Sequence, residues 1–212
     1  MRTRNLRLKP HAFTLIEMIG VLAIIAILAS LLVPKIFEAI NNAHVSHTVL
    51  SCQTIKTAVL EHYAKYLSLA SSNGNSLGFI GSNPKISANF DDVLVSEGLL
   101  DKPFAAPIGT NATIQIVDLS TLGSPKPLKG AYDLDGDGQS DVTGANYVVE
   151  AVILGVPQAD AKALNDLLDG PMLGEAVYPQ SNPEKDGYGR VIYSKPQAQE
   201  TTVEVHIYIT HH

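Results

Sequence analysis

The 212-residue sequence has no tryptophan, one cysteine, five phenylalanines and fewer basic than acidic residues, and each shortage excludes something. With aromatics at 6%, a core must be built mainly from aliphatic side chains. Cys52 stands alone, which excludes an intramolecular disulfide. Fifteen basic against twenty-one acidic residues give a formal charge of −6. That balance argues against nucleic acid as a partner, because phosphate binding needs a basic face. No G-x-S-x-G elbow, phosphate-cradling glycine loop, CxxC or HExxH pattern occurs, so the chain is expected not to be an enzyme. The length suits one sizeable core plus an appendage.

Charge is scarcest where apolar residues are densest. Residues 1–12, MRTRNLRLKPHA, carry four of the fifteen basic residues and no acid. Phe13 to Val33 then runs for 21 residues with Glu17 as its one charge. As a helix this run spans about 31 Å, close to the hydrocarbon thickness of a bilayer. The basic cluster before it should stay cytoplasmic and place the rest of the chain on the far side. The run is too long for a cleaved secretory signal, and no A-x-A site follows it. An ordinary signal anchor leaves Glu17 unexplained, since a carboxylate within the bilayer costs about 2.5–3.5 kcal/mol on insertion scales. Cleavage between Ala12 and Phe13 would supply a reason. The new α-amine of Phe13 would be a cation one helical turn from Glu17, able to meet Glu17 of a neighbouring helix and so set an axial stagger.

A short basic leader, a small residue, then FTLIE and about twenty apolar residues resemble the type IV prepilin-like family of pilins and type II secretion pseudopilins. The matching residues are Phe13, Thr14, Leu15, Glu17 and Pro34, over a stretch from residue 7 to 40. The leader ends in Ala12, where the family mostly has glycine; alanine is still small enough for a tight peptidase site. The resemblance implies removal of residues 1–12 by a prepilin peptidase that also methylates the Phe13 amine. It further implies a single-pass precursor in the bacterial inner membrane and an assembly platform there. Self and other pilin-like subunits, with membrane lipid, are the implied partners, in a periplasmic or cell-surface filament. The mature chain would have 200 residues, eleven basic and twenty-one acidic, and a charge of −10.

Beyond the apolar run, Pro34 should bend or loosen the helix because it cannot donate to the ladder. Val45, Val49, Cys52, Ile55, Val59, Tyr63 and Tyr66 then recur at three- and four-residue spacing, an apolar stripe that places the Cys52 thiol in a core. The expected organisation is a leader over 1–12, a transmembrane or filament-core helix over 13–36, an amphipathic continuation over 37–70 and a globular head over 71–212. The head reads as α+β: a long N-terminal helix packed on a small antiparallel β-sheet. A short helix is expected over Phe90–Leu99 with Asn89 as N-cap. A second is expected within residues 157–170, with Ala161, Leu164, Leu167 and Leu168 on one face and Gly170 at its end. Strands are expected at 113–119, 146–154, 188–194 and 202–210.

One motif in the head suggests a ligand. In YDLDGDGQSD, residues 132–141, Asp133, Asp135, Asp137 and Asp141 fall at positions one, three, five and nine of a calcium loop. Gly138 stands at the turn and the Gln139 carbonyl at the seventh position. The twelfth position is Gly144, so the bidentate glutamate of an EF-hand is missing unless Glu150 or another distant acid completes the shell. A solvated turn without metal is the competing reading. His44, His47 and His62 lie on the long helix without facing ligands and read as exposed helix polarity; His211 and His212 are too few for a metal site.

The functional expectation is a structural subunit of a pilus-like or pseudopilus filament, assembled through its N-terminal helix. The alternative is a signal-anchored extracytoplasmic binding module, an adhesin or receptor using a prepilin-type export signal. A membrane-tethered hydrolase is disfavoured, because the clustered acids have calcium-ligand spacing and no nucleophile–base pair can be identified.

Overall fold

The computed structural model describes residues 14–67, 69, 86–87, 89–118, 132–136, 140–142, 147–170, 177–178, 189–194 and 201–212. In chain order the elements are α1 (Leu15–Tyr66), β1 (Ile86–Ser87), α2 (Phe90–Ser96), β2 (Asn111–Asp118), β3 (Tyr147–Pro157), α3 (Gln158–Leu168), β4 (Val177–Tyr178), β5 (Val191–Ser194) and β6 (Thr202–His211). Internal contacts divide the chain into two units, Met1–Ile40 and Asn41–His212.

In the first unit, α1 is apolar on every side from Met18 to Val33, with the exposed Lys35–Glu38 pair beyond Pro34. Its large aliphatic residues from Leu15 to Ile40 are exposed, and its apolar window is long enough to cross a membrane. A helix without a polar face does not suit an aqueous surface. Pro34 lies inside α1 without ending it.

In the second unit, the rest of α1 buries Val45, Cys52, Ile55 and Val59 of the expected stripe, joined by Thr48, Ala58 and His62, while Val49 and Tyr63 are partly buried against the core. Burial pushes the Cys52 thiol up to about 12, the behaviour of a core residue. The sheet has the order β1-β2-β3-β6-β5-β4. The four longer strands pair antiparallel, and the two-residue β4 runs parallel to β5. Strand alternation sorts the side chains into two layers. Ile114 and Ile116, Val149, Ala151 and Ile153, Val191 and Tyr193, and Val203, Val205, Ile207 and Ile209 share one core with α1, α2 and α3. On the reverse face, Val148 and Ile192 form a second cluster with Tyr132 and Val142, which cover the back of the sheet there.

Boundaries differ from expectation for local reasons. Asn89 sits at the N-cap of α2, but in a left-handed conformation (φ 66) without a side-chain cap bond. Asp91, in the first turn, is buried instead and accepts the Phe104 N–H at 2.9 Å, tying α2 to the following loop. That helix stops at Ser96 rather than Leu99. Gly98 takes φ 74, and Leu99 N–H reaches back to the Leu94 carbonyl at 2.9 Å, closing the helix as a Schellman motif. β3 continues past Leu154 through an irregularity at Gly155, where φ is +69 and a Cβ would lie 2.5 Å from Thr110 Oγ1. Only glycine fits there. In α3, Ala161 and Leu164 are buried as expected, Leu168 is partly buried against the core, and Leu167 is 55% exposed. Asn165 takes the buried position, because the contact face follows 161, 164, 165 and 168.

Candidate functional site

The N-terminal signature shows its chemistry at Thr14 and Glu17; Ala12 and Phe13 lie outside the described residues. Glu17 Oε2 accepts the Thr14 backbone N–H at 2.8 Å and the Thr14 hydroxyl at 2.7 Å. In return Thr14 Oγ1 accepts the Glu17 N–H at 3.3 Å. This is a capping box, with Thr14 at the N-cap and Glu17 three residues on. The T-L-I-E spacing carried that signal in the sequence, and reading Glu17 only as a charge missed it. The box supplies donors to the carboxylate but no opposite charge, so it starts the helix without neutralising Glu17.

The aspartate-rich loop closes on itself. Asp141 N–H bonds the Tyr132 carbonyl at 2.8 Å. Asp141 Oδ2 accepts the N–H groups of Leu134 at 2.6 Å and Asp135 at 3.2 Å, while Asp133 Oδ1 accepts that of Gly136 at 2.7 Å. Asp133 is buried, Asp135 and Asp141 are exposed, and one carboxylate oxygen from each lies within 4.8 Å of the others. Asp137, Gly138 and Gln139 lie outside the described residues. Three of the expected carboxylates are thus brought together around a common space, and the donor set is the oxygen chemistry that a hard cation takes.

Glu150 does not complete that shell. It is fully buried on the back of the sheet, where Tyr132 donates its hydroxyl to Oε2 at 2.6 Å and Gln115 donates its amide to Oε1. His206 Nδ1 lies 3.2 Å from Oε1, and the other ring nitrogen lies 3.1 Å from Glu204. Burial opposes charge on both partners, but each supplies the opposite charge that the other needs. The His206 charge and bond, with those of Tyr132 and Gln115, therefore hold Glu150 below the usual carboxylate range. The same pairing, helped by Glu204, lifts His206 to about 9. Period-two alternation in YVVEAVIL already put Glu150 on a buried face with Val148 and Val152, and that was the missed signal.

Comparison with known proteins then bears on the N-terminus. Residues 7–33 match the prokaryotic N-terminal methylation motif. No curated protein and no solved structure matches the chain. The methylation motif is the type IV prepilin-like signal, so the segment is a prepilin-type export signal and the protein is pilin-like there. The motif implies processing by prepilin peptidase and assembly with pilin-like subunits, and with the apolar α1 it fits a membrane-anchored precursor.

Outside the methylation motif, the histidines divide. His44 and His47 are exposed, as expected. His62 is not: it is 0% exposed, with Nδ1 2.6 Å from Glu97 Oε2 and its ring edge-on to Phe90. It extends the stripe of Ile55 and Val59 by three residues and tethers α1 to the end of α2. His212 stacks on Tyr63 at 3.8 Å and exchanges backbone hydrogen bonds with Tyr147, anchoring the last strand. Neither gathers metal ligands among the described residues.

Proposed function

We propose that the protein is a structural, non-catalytic subunit of a type IV pilus-like or type II secretion pseudopilus filament. The methylation motif at the head of an apolar helix with no polar face carries this reading. Copies of such a helix, once drawn from the membrane, lose less by packing together than by meeting water, since each large aliphatic side chain contributes about 1.5–3 kcal/mol on burial. The partners on this reading are prepilin peptidase, an inner-membrane assembly platform, and further pilin-like subunits. Intact-mass and N-terminal analysis of the protein from its own cells tests it, together with the sheared surface or periplasmic fraction. A chain starting at Phe13, methylated on its amine and present in fibres, is expected. An uncut chain starting at Met1 would return the protein to the class of signal-anchored binding modules.

The loop of Asp133, Asp135 and Asp141, with Asp137 and Gln139, is proposed to hold calcium as a structural clip. Support comes from the converging carboxylates and from the bond joining the Asp133 carbonyl to Gly189 N–H at 2.6 Å, which links the loop to the start of β5. Calcium at a hundred times its dissociation constant adds about 2.7 kcal/mol. For a unit of this size that raises the melting temperature by roughly 5–10 °C. The full chain in detergent should show this rise in calcium over chelator; equal melting temperatures would remove the metal from the account.

A further inference from the structure

A pocket of about 260 Å³ opens between α1 and the loop that follows α2. Leu50 and Ile55 of α1 meet Leu100 and Phe104 in its wall, and none of its lining residues belongs to α3. Leu50 is 61% exposed on this side, and Asp101 and Lys102 stand exposed at the rim. Among the described residues neither of those two charges forms an ion pair. The volume lies below the roughly 300–1,000 Å³ of small-molecule sites, which favours a side chain as occupant.

The second unit also carries a knob of matching character. Outside α1, its exposed large hydrophobics among the described residues are Leu154 and Leu167. Leu154 pairs with Asn111 across the strands and lies between Ile153 and Gly155, with no charge beside it. Leu167, 55% exposed on α3, stands next to Asp166, whose carboxylate is 3.2 Å from Lys162 on the helix surface. An apolar side chain with an anion and a cation near it complements an apolar pocket with a cation and an anion at its rim. An exposed pair such as Lys162–Asp166 contributes little alone, so it exchanges partners at small cost. Knob and pocket lie at different places on one chain, so their union is heterologous. It leaves a free pocket and a free knob at its ends and does not close at two copies, which is the symmetry a filament needs.

We propose that Leu167 of one copy enters the pocket of Leu50 and Phe104 on the next, with Asp166 at Lys102 and Lys162 at Asp101. The inference rests on the filament reading above. Cys52 is buried and its thiol is pushed up to about 12, so added cysteines are cross-linked without it. In sheared fibres from the native cells, the full chain with Leu50→Cys and Leu167→Cys is expected to give a ladder of covalent multimers. Each single variant should stay monomeric, and Leu50→Cys with Leu154→Cys should give no ladder. Leu167→Asp changes a side chain that already stands in water, so it should keep the melting temperature and lose at least tenfold in fibres. No ladder from fibres of the first variant, an equal one with Leu154→Cys, or unchanged fibres in Leu167→Asp would overturn the contact. Dimers from Leu50→Cys alone would also overturn it, since they require a two-fold arrangement. If the unaltered chain makes no fibres, the filament reading fails and the contact falls with it; fibres without a ladder remove the contact alone. Should the cysteines themselves stop assembly, Lys102→Glu and Asp166→Lys are the variants. Each alone should reduce fibres severalfold and the two together restore them, with a lack of restoration counting against the proposal.

Discussion

Glu150→Ala is expected to destabilise the second unit by about 3–5 kcal/mol, the scale of removing one partner from a buried ion pair. The carboxylate sits where no water reaches and satisfies three donors at once: the Tyr132 hydroxyl, the Gln115 amide and His206. Its loss leaves a buried imidazolium with Glu204 as its remaining acidic contact, and that side chain is 42% exposed. It also removes the acceptor of the Tyr132 hydroxyl, whose ring packs on the back of the sheet at the start of the aspartate loop. A melting temperature lower by roughly 10 °C follows for a unit of this size. A fall of under two degrees would show that the pair contributes little.

The same pair sets a pH window. His206 is raised from its ordinary 6.5 to about 9, so its contribution is complete below about 6.5 and is lost as pH rises through 9. Glu150 is lowered from 4.5, so its contribution is complete above that value and fades as pH falls further. Stability should therefore be greatest between about 4.5 and 6.5. Glu150→Gln, which keeps the shape but not the charge, should flatten the alkaline limb. An unchanged alkaline limb in that variant would assign the loss to another group.

Much of this architecture is legible in the residues. The period of the stripe from Val45 to Tyr66 follows α1 because an amphipathic helix shows its buried side every third or fourth residue. The apolar, β-branched run in 146–154 and the alternation in 202–210 locate β3 and β6. What escaped was polar and buried. Glu150 and His62 interrupt apolar patterns with residues that usually mark a surface, and their partners Gln115, Tyr132, His206 and Glu97 are distant in sequence. Leu167 misled in the opposite sense, as an apolar residue that the fold leaves in water. The aspartate loop lay between these cases. Its spacing was local, so the meeting of Asp133, Asp135 and Asp141 could be foreseen, whereas the commitment of Glu150 to the sheet depended on the long-range pairing of β2, β3 and β6.

Glu17→Ala should leave leader cleavage intact and reduce sheared fibres by about a hundredfold or more. Two roles compete for this carboxylate. One is the capping box with Thr14, which contributes about 1 kcal/mol to starting the helix. The other is the proposed meeting with the Phe13 amine of a neighbouring copy in an apolar array. Removing one charge from such a pair leaves the other stranded, at about 3–5 kcal/mol, and each 1.4 kcal/mol is a factor of ten in the association constant. Glu17→Gln separates them, because glutamine serves a capping box as glutamate does but carries no charge. If assembly depends on the charge, Glu17→Gln fails like Glu17→Ala while keeping α1 intact by circular dichroism. If instead Glu17→Gln assembles as the unaltered chain does, the carboxylate acts as a helix cap, and subunit register must come from the packing of the aliphatic side chains between Leu15 and Ile40.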